Sequence, residues 1–480
     1  MAIKSLREFI DILEKNNWLV KIRDEVDWDL EASAIVRRAG EMRGPGVLME
    51  NTRDYPGWRY FGNGLGSWHG MALALGLPAD AHPEEIEKRY LRGLEKPIKP
   101  RFVKEAPCQE NVIEGDKVNL FHLPAPMVHD GDGGRYIQTG GFRITKDLDS
   151  DWTNWGMYRN MVHDERHMGG LVLPTSDMGV QYRKYLEKKQ NMPFAIALSI
   201  DPVSFITSMA PVGVGIDEAD VIGGMMGEPI EVVKGKTVDL MVPAHAEAIL
   251  EGEVLPPDFA VDEGPFGEFT GYRTAPRMSR SVFKVNCITY RNNPIIWIAN
   301  MGVPMYDGAI SIGWQALIRK ELRDKGIPVK AVNLAPECGA TLMAIVATEV
   351  PYHGIANRIA NIIYGAPALC SYINYVVVVE PDVDVYDLSQ VLFVISAQCH
   401  PGRGITIRDR EVTTPLNPYL SNEERKWMWG TKGLLDCTYP VHWSRKTEVP
   451  PKVSFKLMYP KEVQDRIVKD WQKWGFKTKY

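Results

Sequence analysis

The sequence has 480 residues, of which 45% are hydrophobic and 24% are charged, and its formal net charge is −5. These proportions are typical of globular protein, and a chain of this length is expected to form two or three domains, each with its own core. The acidic balance argues against binding to nucleic acid or to anionic lipid. No apolar run is long enough to span a membrane and the N-terminus lacks a signal-peptide core, so we expect a cytoplasmic protein.

The six cysteines are scattered along the chain, without CxxC or zinc-like spacing. Such cysteines usually lie buried and behave as small hydrophobic residues in proteins of a reducing compartment, which agrees with the expected cytoplasmic location.

The first predicted elements belong to a small α/β domain at residues 1–115. A capping-box pattern at 5–8 opens a helix whose apolar residues recur at helical spacing up to Leu13. Amphipathic patterns predict further helices at 31–42 and 83–94, and the proline-rich stretch at 96–100 predicts an extended connection.

Residues 116–310 change character, because short apolar runs at 195–200, 281–290 and 295–300 alternate with Gly, Pro and Asp. This composition predicts a second domain built as a barrel or a folded-over sheet.

A third domain is predicted at 311–455, where a helix at 312–324 precedes apolar runs typical of buried strands. The predicted strands of this α/β layer are 329–334, 341–348, 375–379 and 391–396. An amphipathic helix within 456–480 then presents an apolar stripe that something must cover, either its own chain or a neighbouring subunit.

The most informative motif is EGPFGE at residues 263–268, which places Glu263 and Glu268 across a turn. Pro265 fixes its own φ, and the two glycines permit conformations that a side chain would hinder. If the turn directs both acids into one poorly solvated volume, their pKa values separate and one acid can hold a proton at neutral pH. The alternative is a surface turn with two solvated acids.

A second motif, TNWGMYRNM at residues 153–161, lies upstream. Asn154 offers a carbonyl oxygen suited to a hard cation such as Mg²⁺ or Mn²⁺. Arg159 offers a planar set of donors that can bind a carboxylate or keep a Glu ionised. The alternative is an aromatic-rich strand with an incidental surface arginine.

Together these motifs resemble the UbiD family of prenylated-FMN-dependent (de)carboxylases. Between them lie GEPIEVVK at 227–234, DLMVPA at 239–244 and ILEG at 249–252, in the family's order and spacing. Near the end, YPK at 459–461 leads to WGF at 474–476, another family feature. The resemblance covers most of the chain from about residue 124, and three ordered motifs are far more specific than one.

The resemblance implies an α/β (α+β) multidomain fold whose central domain is a split β-barrel like that of flavin reductases. It implies that the terminal helix docks on a neighbouring subunit, giving a homo-oligomer (dimer or hexamer). The implied reaction is reversible non-oxidative decarboxylation of an aromatic or α,β-unsaturated acid, or of an aryl-CoA thioester acid. The implied cofactors are prenylated FMN, supplied by a flavin prenyltransferase, with Mn²⁺ (or Mg²⁺ or Fe²⁺) and K⁺.

The family's catalytic Arg and two Glu residues fall on Arg159, Glu263 and Glu268. The resemblance implies that Arg159 and Glu263 form a supporting ion pair and that Glu268 gives the proton that replaces CO₂. The residues implied to bind the cofactor are Asn154, Trp155, Gly156, Met157, Arg159, Ser176, Ser208, Met209 and Glu231.

The implied metal ligands are Asn154 and Glu231, with Asp177 at a position where several relatives have His. Asp177 can itself bind Mn²⁺, or it can lie outside the shell with water in its place. The potassium site would use backbone oxygens at Ser208 and Met209. A lysine that contacts the cofactor phosphate in some relatives has no clear counterpart near residues 365–367.

Two other classes of protein remain as alternatives. The chain can be a subunit of a multi-component aromatic carboxylase that needs partner proteins for activity, although all three catalytic positions are intact. A flavin-independent metallohydrolase is disfavoured because HxH and HExxH spacings are absent from the sequence.

Overall fold

The computed structural model describes residues 2–304, 310–366 and 369–476. The first helix begins after Ser5, whose hydroxyl accepts a hydrogen bond from the Glu8 amide, and it buries the predicted apolar face. The helices predicted in this part are confirmed. Its elements are α1 (Leu6–Lys15), β1 (Leu19–Val26), α2 (Glu31–Glu41), β2 (Gly46–Thr52), β3 (Arg59–Gly62), α3 (Trp68–Ala74), α4 (Pro83–Glu95), β4 (Arg101–Phe102) and β5 (Asn111–Glu114).

The central part is rich in short strands, as its composition predicts. Its elements are β6 (Tyr136–Ile137), β7 (Gly141–Lys146), β8 (Thr153–Gly156), β9 (Asn160–Val162), β10 (His167–Gly170), α5 (Asp177–Glu187), β11 (Met192–Leu198), α6 (Pro202–Ser208), α7 (Glu218–Met226), β12 (Glu231–Lys234), β13 (Met241–Pro243), β14 (Ala248–Val254), β15 (Val261–Glu263), β16 (Met278–Tyr290) and β17 (Ile295–Ile298).

The central sheet has ten strands, all paired antiparallel, in the order β6-β9-β10-β16-β14-β11-β7-β8, with β15 and β5 also paired to β16. The pairing of the described strands does not join β6 to β8, so the sheet is open rather than closed into a barrel. The predicted α/β multidomain class is confirmed.

The N-terminal sheet has the order β1-β2-β3-β17, and its last strand therefore comes from the central part of the chain. Strand β5 pairs with β16 and β4 with β12, so strand pairing crosses the first predicted boundary. The boundaries after residues 115, 310 and 455 stay predictions. The strand β17 carries the chain from the N-terminal sheet toward Asn300, which contacts the site described below.

The C-terminal part is a five-stranded sheet with helices packed against it. Its elements are α8 (Ile310–Asp324), β18 (Val329–Asn333), β19 (Met343–Thr348), α9 (Ile355–Gly365), β20 (Tyr375–Val379), α10 (Leu388–Gln398), β21 (Ile405–Val412), α11 (Asn422–Trp427), β22 (Trp429–Asp436), α12 (Phe455–Met458) and α13 (Lys461–Asp470). The strand order in this sheet is β18-β19-β20-β22-β21.

The predicted strand at 391–396 is wrong, because these residues lie in helix α10. The Asp387 side chain accepts hydrogen bonds from the amides of Ser389 and Gln390 and so begins a helix there. Only one side of that helix is buried, through Val391 and Val394. A short apolar run does not by itself distinguish a buried strand from a helix.

The terminal helix α13 contains no buried residue, and Val468 and Trp474 on or beyond it are exposed. Its docking on a neighbouring subunit stays a prediction. No helix among the described residues combines the length and the hydropathy that crossing a bilayer requires.

Candidate active site

The turn at residues 263–268, called the acidic turn below, begins at the end of β15. Gly264 has a φ of 90°, a left-handed conformation that a side chain would strain. Glu263 and Glu268 at the two ends of the turn are only 3% and 4% exposed. Because both acids are buried, the alternative of a solvated surface turn is wrong.

Arg159 lies between β8 and β9 and contacts both acids. Its Nη2 atom is 2.8 Å from Oε1 of Glu268 and 3.7 Å from Oε1 of Glu263. The guanidinium also lies over the ring of Phe266, 4.7 Å from its centroid. The structure therefore brings together the three side chains that the sequence singled out, with Arg159 closer to Glu268 than to Glu263.

Glu263 has two further partners that sequence reasoning missed. The Tyr136 hydroxyl donates a hydrogen bond to Oε1 of Glu263 at 2.9 Å, and Nε of Arg280 is 3.7 Å from Oε2. These residues come from β6 and β16, and no local pattern in the sequence links them to the turn. Glu263 is thus a carboxylate surrounded by donors and positive charge.

Glu268 has a different environment, in which burial dominates. Burial raises the pKa of the Glu268 carboxyl, the charge of Arg159 opposes this rise, and the charges of Glu263 and Asp132 add to it. The net direction is upward. Of the two acids, Glu268 is therefore the one whose surroundings favour a bound proton.

Two polar atoms at the centre of the cluster have no hydrogen-bond partner among the described residues. They are Nε of Arg159 and Oε1 of Glu268, and both are buried. Nη2 of Arg159 approaches Oε1 of Glu268 as an ion pair without hydrogen-bond geometry. Buried polar atoms are normally paired, so these two indicate a place where a polar ligand is bound.

A second group of oxygen atoms gathers around Tyr158. The Asn154 side chain is hydrogen-bonded to the Tyr158 hydroxyl, and the charges of Asp177 and Glu218 both raise the pKa of that phenol, after burial as the main cause. Oε2 of Glu218 accepts a hydrogen bond from the Trp155 amide at 2.8 Å. Asn154, Asp177 and Glu218 therefore lie together at the junction of β8, α5 and α7.

This group fits a hard divalent cation. Burial raises the pKa of Glu218 to about 8, and it raises the pKa of Asp177 as well. Neither acid forms an ion pair with a Lys or Arg of the described residues. Those residues contain no group of three His, Cys, Asp or Glu side chains spaced to hold a metal, so the donor set is two carboxylates and one amide. Such a set suits Mn²⁺ or Mg²⁺ whose other ligands are water and phosphate oxygens.

Glu231, the carboxylate that the sequence predicted as a metal ligand, is placed elsewhere. It is hydrogen-bonded to the Arg101 guanidinium and to Nε2 of His245, the latter at 2.9 Å. Among the described residues its contacts do not include Asn154 or Asp177, and its carboxylate is already neutralised. Sequence reasoning missed Glu218 because an acid in the first turn of a helix has an ordinary interpretation as a partner of the helix dipole.

The residues that follow Asn154 in the chain pack beside this group of oxygen atoms. Trp155 is buried and stacks on Phe142, with ring centroids 4.8 Å apart. At Gly156 a side chain would collide with the Tyr158 ring, so the glycine permits that ring to reach Asn154. The Met157 amide donates to the Ser208 carbonyl at 3.1 Å.

The remaining predicted cofactor-binding residues have backbone or capping roles in the structure. The Ser176 hydroxyl caps α5 by accepting from the Gly179 amide at 3.1 Å. The Met209 carbonyl accepts from the Trp314 indole at 3.1 Å. A carbonyl oxygen has two lone pairs, so the Ser208 and Met209 carbonyls each retain one for a cation.

Three protein-family models, all of one family, match successive parts of the chain between residues 10 and 437. Residues 101–304 match the model described as the 3-octaprenyl-4-hydroxybenzoate carboxy-lyase Rift-related domain. Residues 10–90 and 310–437 match the N-terminal and C-terminal domains of the same carboxy-lyase. The chain belongs to the UbiD family of carboxy-lyases.

Individual members of the UbiD family are similar to this chain along nearly its full length. The chain is 31% identical to pyrrole-2-carboxylic acid decarboxylase of Pseudomonas aeruginosa, over 98% of each chain. The vanillic acid decarboxylase of Sedimentibacter hydroxybenzoicus in its closed form superposes with a TM-score of 0.87 at 30% identity, covering 98% of this chain and 100% of that chain.

A further solved structure contains the cofactor that the resemblance implies. It is an evolved dimeric form of the UbiD-class enzyme HmfF from Pelotomaculum thermopropionicum in complex with prFMN. It matches with a TM-score of 0.78 at 27% identity, over 95% of this chain and 99% of that chain. These comparisons support a flavin cofactor and decarboxylation of an aromatic acid as the general class of activity.

Proposed function

We propose that this chain is a prenylated-FMN-dependent decarboxylase of an aromatic or α,β-unsaturated carboxylic acid, with Glu268 as the proton donor. The observation that carries the proposal is the buried pair of Glu268, whose pKa is raised, and Arg159 at 2.8 Å from it. A protonated acid beside a fixed cation, in a site protected from water, supports replacement of CO₂ by a proton.

Arg159 binds and orients the acid substrate. Its buried Nε is a free donor among the described residues, and a substrate carboxylate is the acceptor that fits it. Glu263 accepts a hydrogen bond from Tyr136, and the guanidinium groups of Arg280 and Arg159 lie near it. The negative charge of Glu263 holds the guanidinium in place, so Arg159 does not move with the substrate.

The proton balance of the reaction involves only Glu268 and water. The bond between the substrate carbon and its carboxylate breaks, CO₂ leaves, and the electron pair remains with the substrate carbon. Glu268 then gives its proton to that carbon, becomes a carboxylate and regains a proton from water. When bound, prenylated FMN supplies the electron sink that an sp² carbon needs during this step. The same groups serve carboxylation in the reverse direction.

Asn154, Asp177 and Glu218 would hold the cofactor through a divalent ion, Mn²⁺ or alternatively Mg²⁺ or Fe²⁺. The Glu218 carboxylate is buried and the Asp177 carboxylate is half-buried, neither has a cationic partner among the described residues, and a divalent metal ion would supply one. The N-terminus of α5, capped by Ser176, adds a favourable dipole for the phosphate. The carbonyls of Ser208 and Met209 are the proposed ligands of K⁺.

The substrate class follows the relatives, whose names include pyrrole-2-carboxylic, ferulic and phenolic acid decarboxylases. We expect an unsaturated acid of this size, with a flavin prenyltransferase as cofactor supplier. The terminal helix, which buries nothing in the single chain, supports a homo-oligomer.

The test is native mass spectrometry of the chain co-expressed with a flavin prenyltransferase. Decarboxylation assays on pyrrole-2-carboxylic acid, ferulic acid and phenolic acids follow. We expect bound prenylated FMN with one Mn²⁺, and CO₂ release from at least one class. Glu268→Gln is matched in size and should keep the flavin while turnover falls by at least about 100-fold. A flavin-free chain, or a Glu268→Gln variant with full turnover, would refute the proposal. Activity that appears only on adding other proteins would favour the multi-component carboxylase.

A further inference from the structure

His129 lies directly behind the acidic turn and contacts it without reaching the reacting atoms. Its ring meets the Phe266 ring edge-on, with centroids 5.7 Å apart. At Gly267 an added Cβ would come within 2.5 Å of Nδ1 of His129, so only glycine permits this packing. The imidazole therefore supports the turn immediately before Glu268.

The first ring nitrogen, Nδ1, faces an acceptor. It is 3.0 Å from Oδ2 of Asp132, whose side chain is fully buried. The same carboxylate accepts from the Gly267 amide at 2.9 Å and from the His129 amide at 3.0 Å, and Arg273 is 3.6 Å away. Both oxygens of Asp132 thus act as hydrogen-bond acceptors, so Nδ1 must carry a hydrogen to bond with Oδ2.

The second ring nitrogen, Nε2, also faces only acceptors. It is 3.1 Å from Oδ1 of Asn300 and 3.3 Å from the Met301 carbonyl. The orientation of the Asn300 amide is fixed, because its Nδ2 donates to the Ser33 carbonyl at 2.6 Å and a carbonyl can only accept. Nε2 must therefore carry a hydrogen as well.

A histidine with hydrogens on both nitrogens is an imidazolium. Burial lowers the pKa of His129, but the hydrogen bond and charge of Asp132 outweigh burial, so the pKa is raised. The charged groups that face the ring are Asp132, Arg273 beyond it, and Glu268 in front, and on the Nε2 side the Arg37 guanidinium lies beyond Met301, against residues 302 and 303. This direction agrees with the hydrogen-bond inventory.

We propose that His129 is a positioning residue, held as an imidazolium, that ties the acidic turn to residues 300–301 at the end of the N-terminal sheet. This inference rests on the proposed role of Glu268. The link runs from Gly267 through Asp132 and His129 to Asn300, and it breaks when either ring nitrogen loses its hydrogen. Loss of the His129 proton then lets Glu268 shift relative to the substrate, and turnover falls while flavin and substrate still bind.

The protonation state can be measured without activity, by long-range ¹H–¹⁵N NMR of histidine-labelled protein. The His129 signals are assigned by their absence in His129→Gln. At pH 7.0 an unperturbed histidine is about one quarter charged. We expect His129 to be mostly imidazolium at this pH, and a neutral tautomer at pH 7.0 would overturn the inference.

Kinetics of the flavin-loaded enzyme test the positioning role. His129→Gln keeps a donor at the Nε2 position and His129→Asn keeps one at the Nδ1 position, and neither titrates. We expect kcat to fall about 10-fold in each, with KM and flavin content within about twofold of the wild type. The wild-type profile of kcat against pH should contain one alkaline ionisation that both variants lack. The inference would be overturned if the pH profile of kcat in either variant had the shape of the wild-type profile. It would also be overturned if a higher KM or a lower flavin content accounted for the loss of activity.

The matched control is His167→Gln, because His167 also pairs with an Asp three residues away, Asp164, at 3.0 Å, and no hydrogen bond or ion pair of its ring among the described residues reaches the acidic turn. It should leave kcat and the pH profile unchanged. If the wild type with bound flavin turns over no acid, the proposed function fails. The protonation state of His129 measured by NMR then decides whether the inference holds. If Glu268→Gln abolishes turnover while His129→Gln matches the control, the inference alone fails.

Discussion

Arg159→Met is the substitution that most directly tests the charge arrangement of the site. It removes the cation that lies 2.8 Å from Glu268 and 3.7 Å from Glu263. Glu263 keeps the Tyr136 hydroxyl and Arg280, but Glu268 loses its ion-pair partner. When both partners are ionised, the charge attraction is about 6 kcal/mol at 2.8 Å and about 4.5 kcal/mol at 3.7 Å for an effective dielectric constant of 20, and breaking a buried pair from one side typically costs about 3–5 kcal/mol of stability.

The loss of stability must depend on pH, and its sign follows from Glu268. Burial raises the folded-state pKa of Glu268 above its unfolded value. Ionisation of such an acid lowers the free energy of unfolding. The decrease is complete above the pKa in the folded state and disappears below the pKa in the unfolded state, about 4.3. Without Arg159 the destabilisation by the buried Glu268 charge is larger. The stability of the variant relative to the wild type should therefore be lowest near pH 8, and the two should be nearly equal near pH 5.

Thermal melting followed from pH 5 to pH 8.5 measures this difference. About 3–5 kcal/mol corresponds to a Tm lower by at least about 6 °C at pH 8, for an unfolding unit of 150–250 residues. The double variant Arg159→Met/Glu268→Gln should recover most of the difference, because it has no unpaired Glu268 charge. A gap in Tm that is the same at pH 5 and pH 8, or that the second substitution does not reduce, would refute the reasoning.

Three further results are expected. Glu218→Gln should lose most of the Mn²⁺ measured by mass spectrometry of digested flavin-loaded protein, whereas Glu231→Gln should keep it; equal losses would contradict the ligand set. Gly267→Ala should lower stability by about 1–3 kcal/mol in denaturant melts, because its Cβ would collide with the ring of His129, and His129→Asn should reduce that cost. Removal of residues 459–476 should leave Tm within about 2 °C, because α13 buries nothing in the single chain, while light scattering should show a smaller assembly; an unchanged mass would argue against docking through this helix.

The sequence predicted the fold well where a local pattern decides the structure. Helix α1 follows from a cap and a regular apolar spacing, and β20 follows from four successive valines that are buried. The prediction was wrong at 391–396, where burial of one helix side produces an apolar run as short as a strand. Pairing of β17 with β3 depends on chain segments far apart in sequence, which no local pattern encodes.

The candidate site shows the same division. Motifs identified Arg159, Glu263 and Glu268 because all three lie in two short segments with unusual composition. Glu231 was preferred because of the family resemblance, and Glu218 was missed because an acid in the first turn of a helix has an ordinary interpretation as a partner of the helix dipole. Only the fold shows that Arg101 and His245 already neutralise Glu231, whereas Glu218 is buried beside Asn154.

The unequal roles of the two acids of the turn follow from residues outside it. Glu263 is contacted by the Tyr136 hydroxyl and by Arg280 in addition to Arg159. Among the described residues the Glu268 carboxylate forms an ion pair with Arg159 alone; the charges of Glu263 and Asp132 add to the rise in its pKa from burial, and the charges of Arg159 and, to a smaller extent, His129 oppose it. One guanidinium between two buried carboxylates cannot stabilise both charges equally, and the carboxylate with fewer other donors, Glu268, is the one whose pKa is raised. The unequal environments of Glu263 and Glu268 are therefore a property of the strands that surround the turn.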